Sequence, residues 1–151
     1  MTQSNITVLP VEQKHLQAVA QLEEANFSLP WDYASLESEL KNPLALWLVA
    51  LDGDAVEGYI GSQAVLEEAD MMNLAVSEAY RRRGIARELV RELISRLSMN
   101  GVTCLTLEVR ASNDAAVSLY GSMGFVQVGR RPKYYQKPRE DALILRKVWE
   151  E

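Results

Sequence analysis

The segment Gly84–Met99 constrains the fold more than any other stretch of the chain. Ile85, Leu89, Leu93 and Leu97 recur every four residues, joined by Ala86, Val90 and Ile94, while Arg87, Arg91, Glu92 and Arg96 take the opposite side. That is the stripe of an amphipathic helix, and Asn100-Gly101 closes it. An apolar run, Met71–Val76, precedes it and another, Thr103–Val109, follows. A strand, a crossover helix and a strand imply a parallel pair with a right-handed connection.

The flanking sequence fills in the remaining elements. Ile6–Leu9 reads as a strand stopped by Pro10. Leu16, Val19, Ala20 and Glu23 form one stripe of a helix over Glu12–Asn26, which Phe27-Ser28-Leu29-Pro30-Trp31 breaks. Asp32 caps a second helix, Tyr33–Lys41, ended by Asn42-Pro43. Leu44–Leu51 and Ala55–Val65 flank the turn signal Asp52-Gly53-Asp54 and predict a hairpin. Glu67–Asp70 reads as a further turn. After the parallel unit, Ser112 or Asn113 caps a short helix ending at Gly124. Phe125–Gly129 and Ala142–Val148 are the last strands, joined by a long polar connection. The expected architecture is α/β (α+β): a mixed sheet with helices on both faces, in one domain spanning residues 1–151.

Composition excludes several classes. A net charge of −5 is a poor footprint for nucleic-acid binding. One cysteine, Cys104, allows no internal disulfide and favours a reducing compartment. Met1–Asn5 is polar with no apolar stretch behind it, so no secretory signal is expected, and no apolar run approaches the roughly 20 residues that span a bilayer. A cytoplasmic location without membrane attachment is the expectation. The single histidine, His15, falls on what reads as a surface helix, so a Ser-His triad or a metal site lacks parts.

Three segments carry candidate chemistry. Arg81-Arg82-Arg83-Gly84-Ile85-Ala86 lies between an apolar strand and the long helix. Its unpaired N–H groups, partial positive charge and small residues suit a phosphate; a solvated basic turn is the alternative. Along Leu105–Arg110, strand alternation sets Glu108 on the face opposite Leu105, Leu107 and Val109, near the strand's C-terminal end. A carboxylate there serves as a general base or pairs with Arg110 or another arginine. Asn113 caps the next helix, and Tyr120 lies two turns on, on the same side, as a core aromatic or a proton donor. Glu37, Glu39, Glu67 and Glu68 form a solvated face or draw in a basic peptide. A Walker loop and a dinucleotide fingerprint are both absent.

Together these segments resemble the GNAT superfamily of N-acetyltransferases. Its phosphate pattern, Gln or Arg, two residues, Gly, one residue, Gly or Ala, is met by Arg81, Gly84 and Ala86 after the strand Asn73–Val76. Leu107–Asn113, with Ala115-Ala116, Leu119-Tyr120, Gly124-Phe125, Pro30-Trp31, Tyr134-Tyr135 and Arg139–Ala142, is similar to the branch acting on ribosomal-protein alanines. The resemblance implies a mostly antiparallel twisted sheet of about seven strands with splayed central parallel strands. It further implies acetyl-CoA as co-substrate, no metal, and a monomer or weak dimer. By the same resemblance, Leu74, Ala75 and Val76 contact the acetyl-pantetheine arm, with the Val76 amide as oxyanion donor. Arg82, Arg83, Gly84, Ile85, Ala86 and Arg87 hold the pyrophosphate and Asn113 binds the cofactor. Glu108 is the general base, Tyr120 the general acid, and Tyr134 and Tyr135 line the acceptor's entry; Trp31, read from the residues alone, is a substrate-side aromatic or a core anchor.

The branch implies a protein N-terminus as acceptor, with the alanine end of ribosomal protein S18 as its typical target. The competing expectations are a lysine side chain or small amine as acceptor, or a non-catalytic acyl-CoA-binding module.

Overall fold

The structure is a computed structural model describing residues 5–136 and 138–149; the polar start Met1–Ser4 lies outside them. The elements follow as β1 (Ile6–Pro10), α1 (Leu16–Asn26), α2 (Tyr33–Leu40), β2 (Ala45–Asp52), β3 (Ala55–Val65), β4 (Glu68–Val76), α3 (Ile85–Met99), β5 (Cys104–Arg110), α4 (Asp114–Ser122), β6 (Val126–Tyr135) and β7 (Glu140–Val148). Single 3-10 turns at Gln13–His15 and Glu78–Tyr80 precede α1 and α3. The strands form one seven-stranded sheet in the order β1-β2-β3-β4-β5-β7-β6. Among the described residues no helix is long and apolar enough to cross a membrane.

Two apolar cores flank the sheet. One joins α3 and α4 to it through Ile85, Leu89, Leu93, Leu97, Leu105, Leu107, Tyr120 and Phe125. The α3 stripe expected from the sequence is completely withdrawn from water at Leu89 and Leu93, and each such side chain contributes about 2 kcal/mol by its burial. The other core packs α1 and α2 against Trp47, Val49, Tyr59 and Ala75. Helix starts are where the caps predicted them: Asp32 Oδ1 accepts from the Ser35 N–H at 2.8 Å and Asn113 Oδ1 from the Ala116 N–H at 3.2 Å.

The single parallel pair decides the shape of the molecule. β4 and β5 pair only through Glu68 with Cys104, Ala69 with Leu105 and Asp70 with Thr106. Beyond Asp70 they part. β4 keeps its antiparallel pairing with β3, but Gly61 faces Asn73 while Ser62 faces Met71, leaving Met72 as the extra residue of a bulge. A bulge bends its strand and steepens its twist, and this one falls where the two strands diverge.

Several expectations are corrected. Glu68–Asp70 is not a turn but the parallel part of β4; the turn is Leu66-Glu67. Its polar look comes from alternation, with Glu68 and Asp70 exposed around buried Ala69. The polar connection after Gly129 is mostly strand: β6 runs on to Tyr135. It is an edge strand defined by its ladder to β7, so it lacks an apolar face to read. His15 is buried, at 3 % exposure, because its Nδ1 accepts the Glu12 N–H at 2.9 Å at the mouth of α1; burial lowers its pKa below the ordinary histidine value. Glu39 is not on a solvated face. It is buried and accepts from Trp47 Nε1 at 2.9 Å and from Gln63 Nε2 at 2.9 and 3.0 Å.

Candidate active site

The divergence of β4 and β5 opens a cleft of about 1410 Å³. Its walls are β4 from Met71 to Val76, the start of α3, the end of β5, α4, the β6–β7 hairpin and the segment between α1 and α2. Of the residues singled out in the sequence, Trp31, Leu74, Ala75, Val76, Arg82, Gly84, Ile85, Ala86, Arg87, Glu108, Asn113, Tyr120, Tyr134 and Tyr135 all line it. Arg83 does not: its guanidinium lies over the Tyr80 ring, 4.7 Å from the centroid.

The splay leaves backbone groups of β4 free. The Ser77 N–H donates to Glu57 O at 2.8 Å, and Val76 and Ala75 stand opposite Gly58 and Tyr59. Hydrogen-bonded and non-hydrogen-bonded pairs alternate along an antiparallel ladder. Ser77 and Ala75 therefore turn their polar groups to β3, while Val76 and Leu74 turn theirs to the side from which β5 has parted. The Val76 carbonyl accepts from Arg81 Nε at 3.0 Å; its N–H faces the cleft.

At the start of α3, Arg82 has φ +65° and Gly84 φ +81°, on either side of a residue with ordinary φ. Such alternation gathers successive N–H groups into a concavity suited to an anion, at the positive end of the helix. No atom lies within 4 Å of where a Cβ on Gly84 would be, so the approach is open. Arg81 Nη2 donates to Asn26 Oδ1 at 2.7 Å, and Arg87 Nη2 donates to Ser122 Oγ at 2.8 Å.

On the other side of the cleft, Glu108 is paired. Arg131 Nε lies 2.5 Å from its Oε2. Arg110, two residues along the strand from Glu108, is engaged elsewhere: it reaches Glu140 Oε1 at 3.2 Å, donates to the carbonyls of Pro138 and Gln136, and lies 4.5 Å over Tyr135. The β6 residues reach Glu108 through a break in register between Arg131 and Tyr135, with Lys133 at φ +57°. Asp141 fastens that break, accepting from Arg130 Nε at 2.6 Å and from the Lys133 N–H at 2.9 Å. The sequence hinted at Arg131 only as one arginine among several.

Tyr120, Tyr134 and Tyr135, all lining the cleft, are held protonated. Burial raises Tyr120 well above the ordinary tyrosine value; its ring packs edge-on against Phe125 at 5.4 Å. Burial and then the charge of Glu108 raise Tyr134, and push Tyr135 up to about 12. Trp31 packs edge-on against Trp47, 5.3 Å between ring centroids.

Among the described residues the sheet parts at a parallel pair, with a concavity of backbone N–H groups on one side and a carboxylate and a buried tyrosine on the other. Residues 16–125 match the acetyltransferase (GNAT) family, and the chain belongs to it; it is an N-acetyltransferase. It is 36% identical over 141 residues to [Ribosomal protein bS18]-alanine N-acetyltransferase of Escherichia coli K12, covering 92% of this chain and 95% of that protein. The crystal structure of the ribosomal-protein-S18-alanine N-acetyltransferase from Escherichia coli superposes with a TM-score of 0.88 at 34% identity, over 97% of this chain and 95% of that one. A subunit in the crystal structure of the NatC complex bound to Gag peptide and CoA superposes with a TM-score of 0.85 at 25% identity, over 97% of this chain and 99% of the other.

Proposed function

We propose that this enzyme transfers the acetyl group of acetyl-CoA to the N-terminal α-amino group of a protein, and that its acceptor is the N-terminal alanine of ribosomal protein S18. The observation carrying the reading is the free Val76 N–H in a cleft that also holds Glu108 and Tyr120. The likeness to the Escherichia coli enzyme supports the acceptor, and the NatC structure with CoA supports the co-substrate. A ribosomal acceptor implies a cytoplasmic enzyme.

Acetyl-CoA supplies an acetyl thioester. The cradle of Arg82, Gly84, Ile85, Ala86 and Arg87 holds its pyrophosphate on backbone N–H groups and positive charge, and Asn113 borders the arm at the head of α4. Leu74 and Ala75 flank the acetyl-bearing end, and the Val76 N–H donates to the carbonyl oxygen as negative charge develops there. The attacking amine must be neutral. A free α-amino group has a pKa of about 8 and lysine one of about 10.4, so at pH 7 roughly a tenth of the first is neutral and far less of the second. Glu108 takes the proton that the amine sheds, directly or through water. Tyr120, held neutral by its burial, donates a proton to the departing sulfur. Trp31, Tyr134 and Tyr135 flank the acceptor.

The test is mass spectrometry of two basic peptides incubated with acetyl-CoA and the enzyme. One has a free N-terminal alanine and no lysine; the other has a blocked N-terminus and an internal lysine. Acetylation of the first alone is expected. Modification of the second alone, or of neither, removes the N-terminal reading.

A further inference from the structure

Glu23 is completely buried and lies outside the chemistry described above. Its carboxylate accepts from the Trp31 N–H at 2.8 Å, from Asn73 Nδ2 at 2.8 and 3.1 Å, and from the Tyr59 hydroxyl. All three partners are donors. Burial and the negative charge of Glu23 raise Tyr59 far above the ordinary tyrosine value, so its hydroxyl keeps its proton. An ionised carboxylate is an acceptor only, which matches three donors; a carboxamide in its place turns an NH2 group on at least one of them. No cation lies within ion-pair distance of Glu23 among the described residues. A charge taken out of water is strongly disfavoured unless it is well hydrogen-bonded, so the site is built around these three donors.

The partners belong to two walls of the cleft. Trp31 ends the segment between α1 and α2, in which Ser28, Leu29 and Pro30 are exposed, Leu29 at 71 %. Asn73 stands in β4 beside Leu74, just past the bulge at Met72. The far end of this segment is tied to the body by the packing of Trp31 on Trp47 and by the Glu23 bond. The start of α3 is held by Arg81, which donates to the Val76 carbonyl and to Asn26 Oδ1 at the end of α1, and by Arg87, which donates to Ser122 Oγ.

We propose that Glu23 is the positioning residue of the acceptor side, holding the Phe27–Trp31 segment against β4 at the mouth of the cleft. The inference deepens the acceptor assignment under Proposed function and rests on it for the kinetic arm only.

The test compares wild type with Glu23→Gln in two readouts. Amide hydrogen exchange needs no acceptor: exchange across Phe27–Trp31 speeds up by about tenfold or more, the equivalent of one lost bond to a charged group, while the start of α3 keeps its protection. In steady-state kinetics on the N-terminal alanine peptide, the acceptor KM rises by about tenfold, and the acetyl-CoA Kd from calorimetry stays within about twofold. Unchanged exchange in the segment, or an acetyl-CoA Kd that moves together with the acceptor KM, overturns the proposal. Should Glu23→Gln fail to fold, Asn73→Ser and Tyr59→Phe each remove one donor and leave the carboxylate. A faster-exchanging segment in either supports the proposal, and wild-type exchange in both overturns it. A wild-type enzyme inactive on the alanine peptide defeats the acceptor assignment, and hydrogen exchange then decides the role of Glu23 alone.

Discussion

Arg131 Nε lies 2.5 Å from Glu108 Oε2, so this cleft carboxylate already carries a counter-ion. In the proposed reaction the acceptor's ammonium group would compete with that guanidinium as it enters. Arg131 is 58 % exposed, so the pair contributes only about 0.2–1 kcal/mol. Arg131→Ala is expected to lower the acceptor KM by about two- to fivefold at low salt, and less at high salt. Glu108→Gln is expected to lower kcat by about 100-fold or more, with acetyl-CoA affinity unchanged. Peptide kinetics at two ionic strengths check both variants; a Glu108→Gln enzyme of normal turnover excludes the base.

Tyr120 is 3 % exposed and raised by that burial. Its hydroxyl therefore stays protonated through the working range, and no alkaline fall of kcat below about pH 10 should come from it. Tyr120→Phe is expected to reduce kcat by about 100-fold at every pH tested, with little change in cofactor binding. The same shift bears on stability. The folded chain holds a proton that the unfolded chain releases near pH 10, so this stabilisation is complete below about pH 10 and is lost as pH rises toward the folded value. Alkaline unfolding followed by circular dichroism should fall off less steeply in Tyr120→Phe than in wild type.

Gly84 has φ +81°, and nothing lies within 4 Å of the place a Cβ would take. Gly84→Ala therefore meets backbone strain and no clash, a cost of about 1–2 kcal/mol. For a chain of this size that lowers the melting temperature by roughly 2–4 °C per kcal/mol, and acetyl-CoA binding should weaken as the cradle relaxes. Thermal denaturation with and without acetyl-CoA separates the two effects.

Gly61 is required for space. A Cβ there would lie 2.4 Å from ring carbons of Trp47, which in turn stacks on Tyr59 and meets Trp31 edge-on. Gly61→Ala is expected to cost about 1–3 kcal/mol through overpacking, with a changed tryptophan emission spectrum. A wild-type spectrum and melting temperature would show that the indole moves aside freely.

Features encoded within one turn or one strand were legible in the chain. The α3 stripe, the Asp32 and Asn113 caps and the order of the elements each depend on neighbours a few residues apart. The turn that opens α3 was legible for the same reason, since Arg82, Gly84 and the helix are contiguous. The placing of the Arg83 guanidinium over the Tyr80 ring is not legible in the basic run itself. His15 and Glu39 read as surface residues because their type is usually wet; one is buried by a bond to the Glu12 amide and the other by the Trp47 indole.

The sequence by itself determined where backbone dihedrals repeat, where helices start, and that one helix crosses between two strands. Those are consequences of side-chain periodicity and local hydrogen bonding. Only the tertiary structure decided that β4 and β5 stay paired for three residue pairs and then part, freeing the Val76 amide. It alone chose Arg131 over Arg110 for Glu108 and brought Glu23 to Asn73, 50 positions on. The physical reason is common to all three. A contact between distant segments depends on strand register and on what each candidate partner has already bound, and neither is written in any one stretch of chain.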